Sequence, residues 1–351
     1  MDVQKVLLAR PRGFCAGVEM AIKSLTWMVR VFEPPVYCYH EIVHNKIIVD
    51  RFQGLGVIFV GDISEVPPGS PVMLSAHGSA PKLVERAHEI SGISINAVCP
   101  LVTKVHHEVK VRANKGYSII YVGHKEHDEA IGTVAIAPKS VTLIESEDDL
   151  KAIPDDLEKV ALINQTTLSL DDWAGIRESA QRKFPNVWMA NRSDLCFATT
   201  NRQLAIREIS RLANTVLVIG SSNSSNTVAL EKTARRYGAQ KVLRINSAAE
   251  LPDDIEGIVG ITAGASAPED VVQSVVARLM PSEGTEEVNA TYEDEYFPPP
   301  PELRDLLRSV SDALSLALLA PNALNSPLGN DRMKSASESL SLLARNLQTS
   351  S

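Results

Sequence analysis

Three of the four cysteines recur in one local context: an apolar stretch, a short loop, the cysteine, then a helical pattern. Val6-Leu7-Leu8-Ala9 leads to Cys15-Ala16-Gly17-Val18, Ile95-Asn96-Ala97-Val98 to Cys99-Pro100-Leu101-Val102, and Val187-Trp188-Met189-Ala190 to Cys196-Phe197-Ala198-Thr199. A cysteine at the start of a helix faces free N–H groups and the positive end of the helix dipole. Both favour the thiolate, the form that binds metal or attacks substrate. Pro100 suits a first helical position. The copies lie about one small α/β domain apart, which predicts three lobes each offering one thiolate to a common point. Zinc sites usually draw on C-x-x-C pairs, and the chain has none. An iron–sulfur cluster accepts widely separated cysteines held between domains, and three ligands to a four-iron cluster leave one iron open. The alternative for each cysteine is a small buried hydrophobe. That is the reading for Cys38, mid-strand between Tyr37 and Tyr39.

A second set of residues suits an anion. His44 follows Glu41-Ile42-Val43, His77 lies in Ser75-Ala76-His77-Gly78-Ser79, and His127 is followed by Asp128-Glu129. Ser224-Ser225-Asn226 and Ser266 add hydroxyl and amide donors, which at helix N-termini bind phosphate without fixed cations. Neither G-x-x-x-x-G-K-[ST] nor G-x-G-x-x-G after a strand is present, so neither an NTPase nor a self-contained nicotinamide enzyme is indicated. Glu129 has two readings: a general acid with a tuned pKa, or an exposed helix-start carboxylate. His88, His106 and His107 lie on helical surface patterns and read as structural.

The elements that must position these groups are short β-branched runs alternating with helical patterns, the signature of parallel α/β architecture. Strands are predicted at 36–39, 57–60, 72–74, 118–122, 141–144, 160–163, 216–219, 242–245 and 258–261. Polar loops follow many of them, and ligands of open parallel sheets bind beyond the strands' carboxyl ends. The chain has 351 residues, 44% hydrophobic and 22% charged, with a net charge of −8. It is long enough for two or three domains and too acidic for general nucleic-acid binding. No apolar run approaches a membrane span, and the first residues lack a signal-peptide pattern, so a cytoplasmic protein with reduced cysteines is expected. Residues 281–296 read as acidic and turn-rich, the Phe297–Pro301 run as a stiff break, and 302–319 as an amphipathic helix. From Asn322 onward a loosely ordered end outside the catalytic body is expected.

Nine segments in order resemble the hydroxymethylbutenyl diphosphate reductase family, also called LytB or IspH. They are Pro11-Arg12-Gly13-Phe14-Cys15-Ala16-Gly17-Val18, Ile42-Val43-His44-Asn45, Ser75-Ala76-His77-Gly78, Cys99-Pro100-Leu101-Val102-Thr103-Lys104-Val105-His106, Gly123-His124 with His127-Asp128-Glu129 and Gly132-Thr133, Gln165-Thr166-Thr167-Leu168-Ser169, Cys196-Phe197-Ala198-Thr199-Thr200-Asn201-Arg202-Gln203, Gly220-Ser221-Ser222-Asn223-Ser224-Ser225-Asn226, and Thr262-Ala263-Gly264-Ala265-Ser266-Ala267-Pro268. The likeness spans residues 5 to about 305, and nothing beyond about Arg308 matches.

The resemblance implies three similar α/β lobes with mostly parallel sheets, arranged pseudo-threefold around a central cavity. The lobes would comprise residues 15–98, 99–194, and 1–14 with 195–290, followed by a partly disordered extension, 291–351. It implies a [4Fe-4S] cluster on Cys15, Cys99 and Cys196, appearing as [3Fe-4S] after oxygen exposure. The substrate's diphosphate would be held by His44, His77, His127, Ser224, Ser225, Asn226 and Ser266. Glu129 would deliver protons, with Thr166 orienting the hydroxyl and His127 beside them in the catalytic set. The implied reaction is reductive dehydroxylation of (E)-4-hydroxy-3-methylbut-2-enyl diphosphate to isopentenyl and dimethylallyl diphosphate, the last step of the non-mevalonate isoprenoid pathway. Electrons would come from ferredoxin or flavodoxin, and a monomer would suffice. The rivals are a non-enzymatic iron–sulfur sensor, which needs neither Glu129 nor the serine–asparagine cradle, and a zinc or cysteine-nucleophile hydrolase.

Overall fold

The computed structural model describes residues 1–190, 194–317 and 328–348. β1 (Asp2–Arg10) opens the chain and α1 (Ala16–Val31) follows it. β2 (Val36–Tyr39), β3 (Val57–Val60), β4 (Pro71–Leu74) and β5 (Ile93–Asn96) form a parallel sheet ordered β3-β2-β4-β5, with α2 (Lys46–Gln53) and α3 (Pro81–Ile90) in its crossovers. α4 (Pro100–Asn114) leads into β6 (Ser118–Val122), β7 (Val141–Ile144) and β8 (Val160–Asn164), a parallel sheet ordered β7-β6-β8. α5 (Asp128–Val134) and α6 (Glu147–Lys151) connect its strands, and α7 (Leu170–Lys183) leaves it. After α8 (Phe197–Ser210) come β9 (Thr215–Ile219), α9 (Ser225–Arg236), β10 (Lys241–Ile245), β11 (Glu256–Ala263), α10 (Glu269–Leu279) and β12 (Thr285–Asn289). These strands complete a third parallel sheet, ordered β10-β9-β11-β1-β12. β8 and β9 are buried at every residue, as parallel strands covered on both faces must be.

The chain passes from one sheet to the next at each cysteine of the repeat. β1 belongs to the third sheet, but α1 packs Ala21, Leu25 and Met28 into the core of the first, against Val36 and Cys38. β5 belongs to the first sheet, but α4 packs Val105 and Val109 against Ile119 and Tyr121 of the second. The stretch around Trp188 adds one parallel bridge to β8 at Ala161, and α8 then packs Ala205, Ile206 and Ile209 into the third. Every predicted strand forms.

The structure corrects the reading of residues 281–296. Thr285–Asn289 is an edge strand, its acidic side chains Glu286 and Glu287 paired with Lys5 and Arg10 of β1. The tail differs from expectation as well. α11 (Pro301–Ala317) buries Leu303 and Leu307 in the first sheet's core, and α12 (Ala336–Gln348) adds Ala336 and Leu340. Glu19 accepts the Ala336 N–H at 2.6 Å, while Lys23 donates to the Asp331 carbonyl at 2.8 Å. This part of the extension is bound to α1 because an apolar face and a buried lysine hold it there. The expectation for residues 322–327 and 349–351 falls outside the described residues. Among the described residues, no helix is long and apolar enough to cross a membrane.

Leu303 has no exposed surface, whereas Leu314 on the same helix is 48% exposed. Leu303→Ala is expected to cost about 2–5 kcal/mol in urea unfolding, and Leu314→Ala at most about 0.5 kcal/mol.

Candidate active site

Cys15, Cys99 and Cys196 are the N-cap residues of α1, α4 and α8, each in extended conformation, and all three line one cavity. The backbone N–H of each is tied to a loop from an adjacent strand of the sheet it leaves: Cys15 to the Ala265 carbonyl at 3.3 Å, Cys99 to Ala76 at 3.0 Å and Cys196 to Thr166 at 3.1 Å. The same bond thus recurs three times around the centre, and each time it joins a cysteine to a loop carrying Ser266, His77 or Thr166. Gly17 lets α1 approach α4, since a Cβ there would stand 2.7 Å from the Cys99 sulfur. Arg202, 1% exposed, donates to the carbonyls of Gly13 at 2.9 Å, Phe14 at 3.0 Å and Ala198 at 3.0 Å, and pairs with Glu293 at 3.1 Å. It fastens the Cys15 loop to the helix that Cys196 begins.

The expectation of lowered thiol pKa values does not hold for the chain alone. Burial pushes the Cys196 thiol up to about 12, helped by the neighbouring Cys15 and opposed by Thr199, whose N–H and hydroxyl lie 3.2 and 3.0 Å from its sulfur. Cys99 is raised further by burial and by Cys15 and Cys196, and burial also raises Cys15. Desolvation outweighs the helix ends. Three thiols that disfavour one another's ionisation in a dry pocket become thiolates together only around cationic iron or a similar centre, and the donor set fits such a group. Cys38 is fully buried within β2, away from the cavity.

The histidines form a second wall. The rings of His44 and His77 stack at 3.8 Å and 12°, with His127 edge-on at 5.0 and 5.7 Å. Burial and mutual repulsion hold His77 well below its ordinary value and bring His127 down to about 3. His127 caps α5, its Nδ1 accepting the Glu129 N–H at 3.1 Å, so Nε2 carries the proton of the neutral ring. Ser224 caps α9, and Ser225 and Asn226 are its first residues. Asn226 Oδ1 accepts the Ala265 N–H at 3.0 Å, Ser225 accepts from Thr167 at 3.0 Å, and Ser266 donates to the His44 carbonyl at 3.0 Å.

Glu129 is 2% exposed, which removes the reading as an exposed helix-start carboxylate. Its two oxygens accept the Thr166 N–H at 2.7 Å and the Thr166 hydroxyl at 2.8 Å. Burial raises its pKa to about 7, with Asp194 adding to the shift and Thr166 opposing it.

The cavity therefore gathers all of the predicted residues: Cys15, His44, His77, Cys99, His127, Glu129, Thr166, Cys196, Ser224, Ser225, Asn226 and Ser266. Thr167, Thr199 and Phe297 also line it without having been singled out. The threonines stood inside quoted motifs, whereas Phe297 comes from the tail and carried no signal. Arg202 likewise stood in a motif without a role. His107 and His88 are exposed, as a structural reading requires. His106 instead packs beneath Gly78 with Nε2 buried and unpartnered.

The sequence profile of the LytB protein family matches residues 6–280. A 4-hydroxy-3-methylbut-2-enyl diphosphate reductase of Acidothermus cellulolyticus is 40% identical over 328 residues, covering 92% of this chain and 96% of its own. The protein of the same name from Rhodopirellula baltica is 42% identical over 312 residues, covering 87% and 97%. The solved structure of the E-1-hydroxy-2-methyl-but-2-enyl-4-diphosphate reductase from Plasmodium falciparum shares the fold with a TM-score of 0.83 at 32% identity, over 89% of this chain and 100% of that one. A profile spanning most of the chain, full-length relatives at this identity and a shared three-lobed fold agree: the chain belongs to the LytB protein family.

Proposed function

We infer that this chain is an iron–sulfur reductase that removes the allylic hydroxyl of (E)-4-hydroxy-3-methylbut-2-enyl diphosphate. The reaction consumes two electrons and two protons, breaks the C–O bond, and releases water with isopentenyl or dimethylallyl diphosphate. The observation that carries this reading is a buried carboxyl, half-protonated near neutrality, sharing one cavity with three N-cap cysteines and a neutral anion cradle. Cys15, Cys99 and Cys196 would hold a [4Fe-4S] cluster, which when bound supplies electrons and an open iron as Lewis acid.

The chain's own residues account for the rest. Nε2–H of His127, the hydroxyls of Ser224, Ser225 and Ser266, and the amide of Asn226 would surround the diphosphate at the start of α9, with the stacked rings of His44 and His77 beside it. Thr166 lines the cavity beside Glu129 with its hydroxyl bonded to that carboxyl at 2.8 Å, so it would orient the substrate's hydroxyl and pass the proton that Glu129 holds. Buried Val43, Ala76 and Val102 line the cavity with these groups and limit water around the allylic fragment. Every named group comes from one chain, which supports a monomer. Without a nicotinamide motif, a ferredoxin or flavodoxin serves as electron donor, in the cytoplasm.

Anaerobic turnover of the substrate with a chemical reductant tests the reading directly. Glu129→Gln is expected to retain iron and substrate binding but lose about 100-fold or more in kcat; near-normal turnover would remove Glu129 from the mechanism. Cys15→Ser, Cys99→Ser and Cys196→Ser are each expected to lose iron and visible absorption, whereas Cys38→Ser keeps both. A colourless wild-type zinc protein would favour the hydrolase instead.

Glu129 also gives a stability signature. Its folded pKa, about 7, lies above the ordinary 4.5, so its contribution is full below pH 4.5 and declines as pH rises through 7. In urea melts of metal-free protein, Glu129→Gln should gain about 3 kcal/mol on wild type between pH 4.5 and pH 8.

A further inference from the structure

His40, just after β2, has a left-handed backbone with φ of 58°, which a residue with a Cβ adopts rarely and at a cost in strain. Its N–H is fixed to the Val60 carbonyl at 2.9 Å and its ring stacks on Tyr39 at 4.1 Å. So held, its Nδ1 meets Asp128 Oδ1 at 2.7 Å. The other carboxylate oxygen, Asp128 Oδ2, stands 3.8 Å from His44 Nε2 and 3.8 Å from His77 Nδ1. Those two ring nitrogens are buried and have no hydrogen-bond partner. One carboxylate is therefore aimed between the edges of two stacked imidazoles, at the nitrogens left without a bond.

We propose that Asp128, held in place by His40, is a positioning residue that orients His44 and His77 and supplies the counter-charge letting this stacked pair take up protons as a diphosphate anion binds. The proposal rests on the diphosphate reading given above. Two stacked imidazolium rings repel each other, and a carboxylate beside both offsets that repulsion. The groups facing Asp128 are Tyr39 at the end of β2, His40, Glu41 and His44 from the segment after it, His77 from the loop after β4, and His127 from its own loop. Burial works against the Asp128 carboxylate, but the His40 bond and the fields of His40, His44 and His127 hold it below the ordinary range. The bond to Asp128 in turn raises His40. Asp128 is thus an anion through the neutral range, placed beside both rings before the diphosphate arrives.

The test is calorimetric binding of inorganic diphosphate to anaerobically purified holoenzyme from pH 6 to pH 8.5, with iron content measured alongside. Wild type should bind throughout, weakening toward high pH. Asp128→Asn keeps the shape and removes the charge. Its alkaline limb should move down by about one pH unit, so that binding falls about tenfold at pH 8 and is undiminished at pH 6. His40→Asn, which tolerates the left-handed backbone and retains a donor, should stay close to wild type. His40→Leu should follow Asp128→Asn. KM for the full substrate should track the same shift, with kcat changed by less than about twofold. Superimposable wild-type and Asp128→Asn profiles would overturn the proposal while leaving the diphosphate reading intact. So would an equal loss at every pH, or wild-type binding that requires added Mg²⁺, which would make Asp128 a cation ligand. Absence of diphosphate binding by wild type at any pH would instead defeat the diphosphate reading itself.

Discussion

The N-termini of α1, α4 and α8 must reach one point, and the rest of the molecule follows from that requirement. Each lobe contains a single cysteine able to do so, and each cysteine stands where the chain leaves one sheet for the next. The thiols are buried together, a tolerable arrangement while they are neutral and one that resists ionisation without a cationic partner. Convergence is enforced by backbone bonds from Cys15, Cys99 and Cys196 to the loops at Ala265, Ala76 and Thr166. The cysteines and the loops carrying Ser266, His77 and Thr166 are therefore connected, and moving one displaces the other.

Among the described residues the cavity wall carries no lysine or arginine, and its electrostatic character follows from that. Hydroxyls, an amide, helix N–H groups and imidazoles line it instead. Such a wall binds a polyanion without leaving unpaired buried charges when the site is empty. The acid is tuned by the same logic: burial raises Glu129 while Thr166 restrains the shift, which leaves a proton available near neutral pH.

Much of this was legible in the sequence because its signals are local. The β-branched runs gave every predicted strand, and the repeated apolar–loop–cysteine–helix pattern located the three helix starts. The polar loops after strands supplied the hydroxyls, amide and imidazoles that line the cavity. What was not legible depends on partners distant in sequence. Thr285–Asn289 reads as acidic turn until Lys5 and Arg10 are placed beside it. The tail reads as weakly helical until α1 offers an apolar face and Glu19 and Lys23. Arg202 looks like one basic residue in a helix, and only the fold shows it joining the Cys15 loop, α8 and Glu293. The thiol pKa values depend on burial, which competes with the dipole and which local sequence does not report. The same holds for His40 and Asp128, whose pairing joins two lobes.

β1 lies between β11 and β12 in the third sheet, so the first strand synthesised has both neighbours near the far end of the chain. On the ribosome, this strand waits without hydrogen-bonding partners until Glu256–Ala263 and then Thr285–Asn289 have emerged. Phe297, translated later still, completes the cavity wall. The Ala265 loop that holds the Cys15 N–H therefore forms only after β11 has joined β1. A chain lacking β12 would leave one edge of β1 unpaired and Lys5 and Arg10 without Glu286 and Glu287.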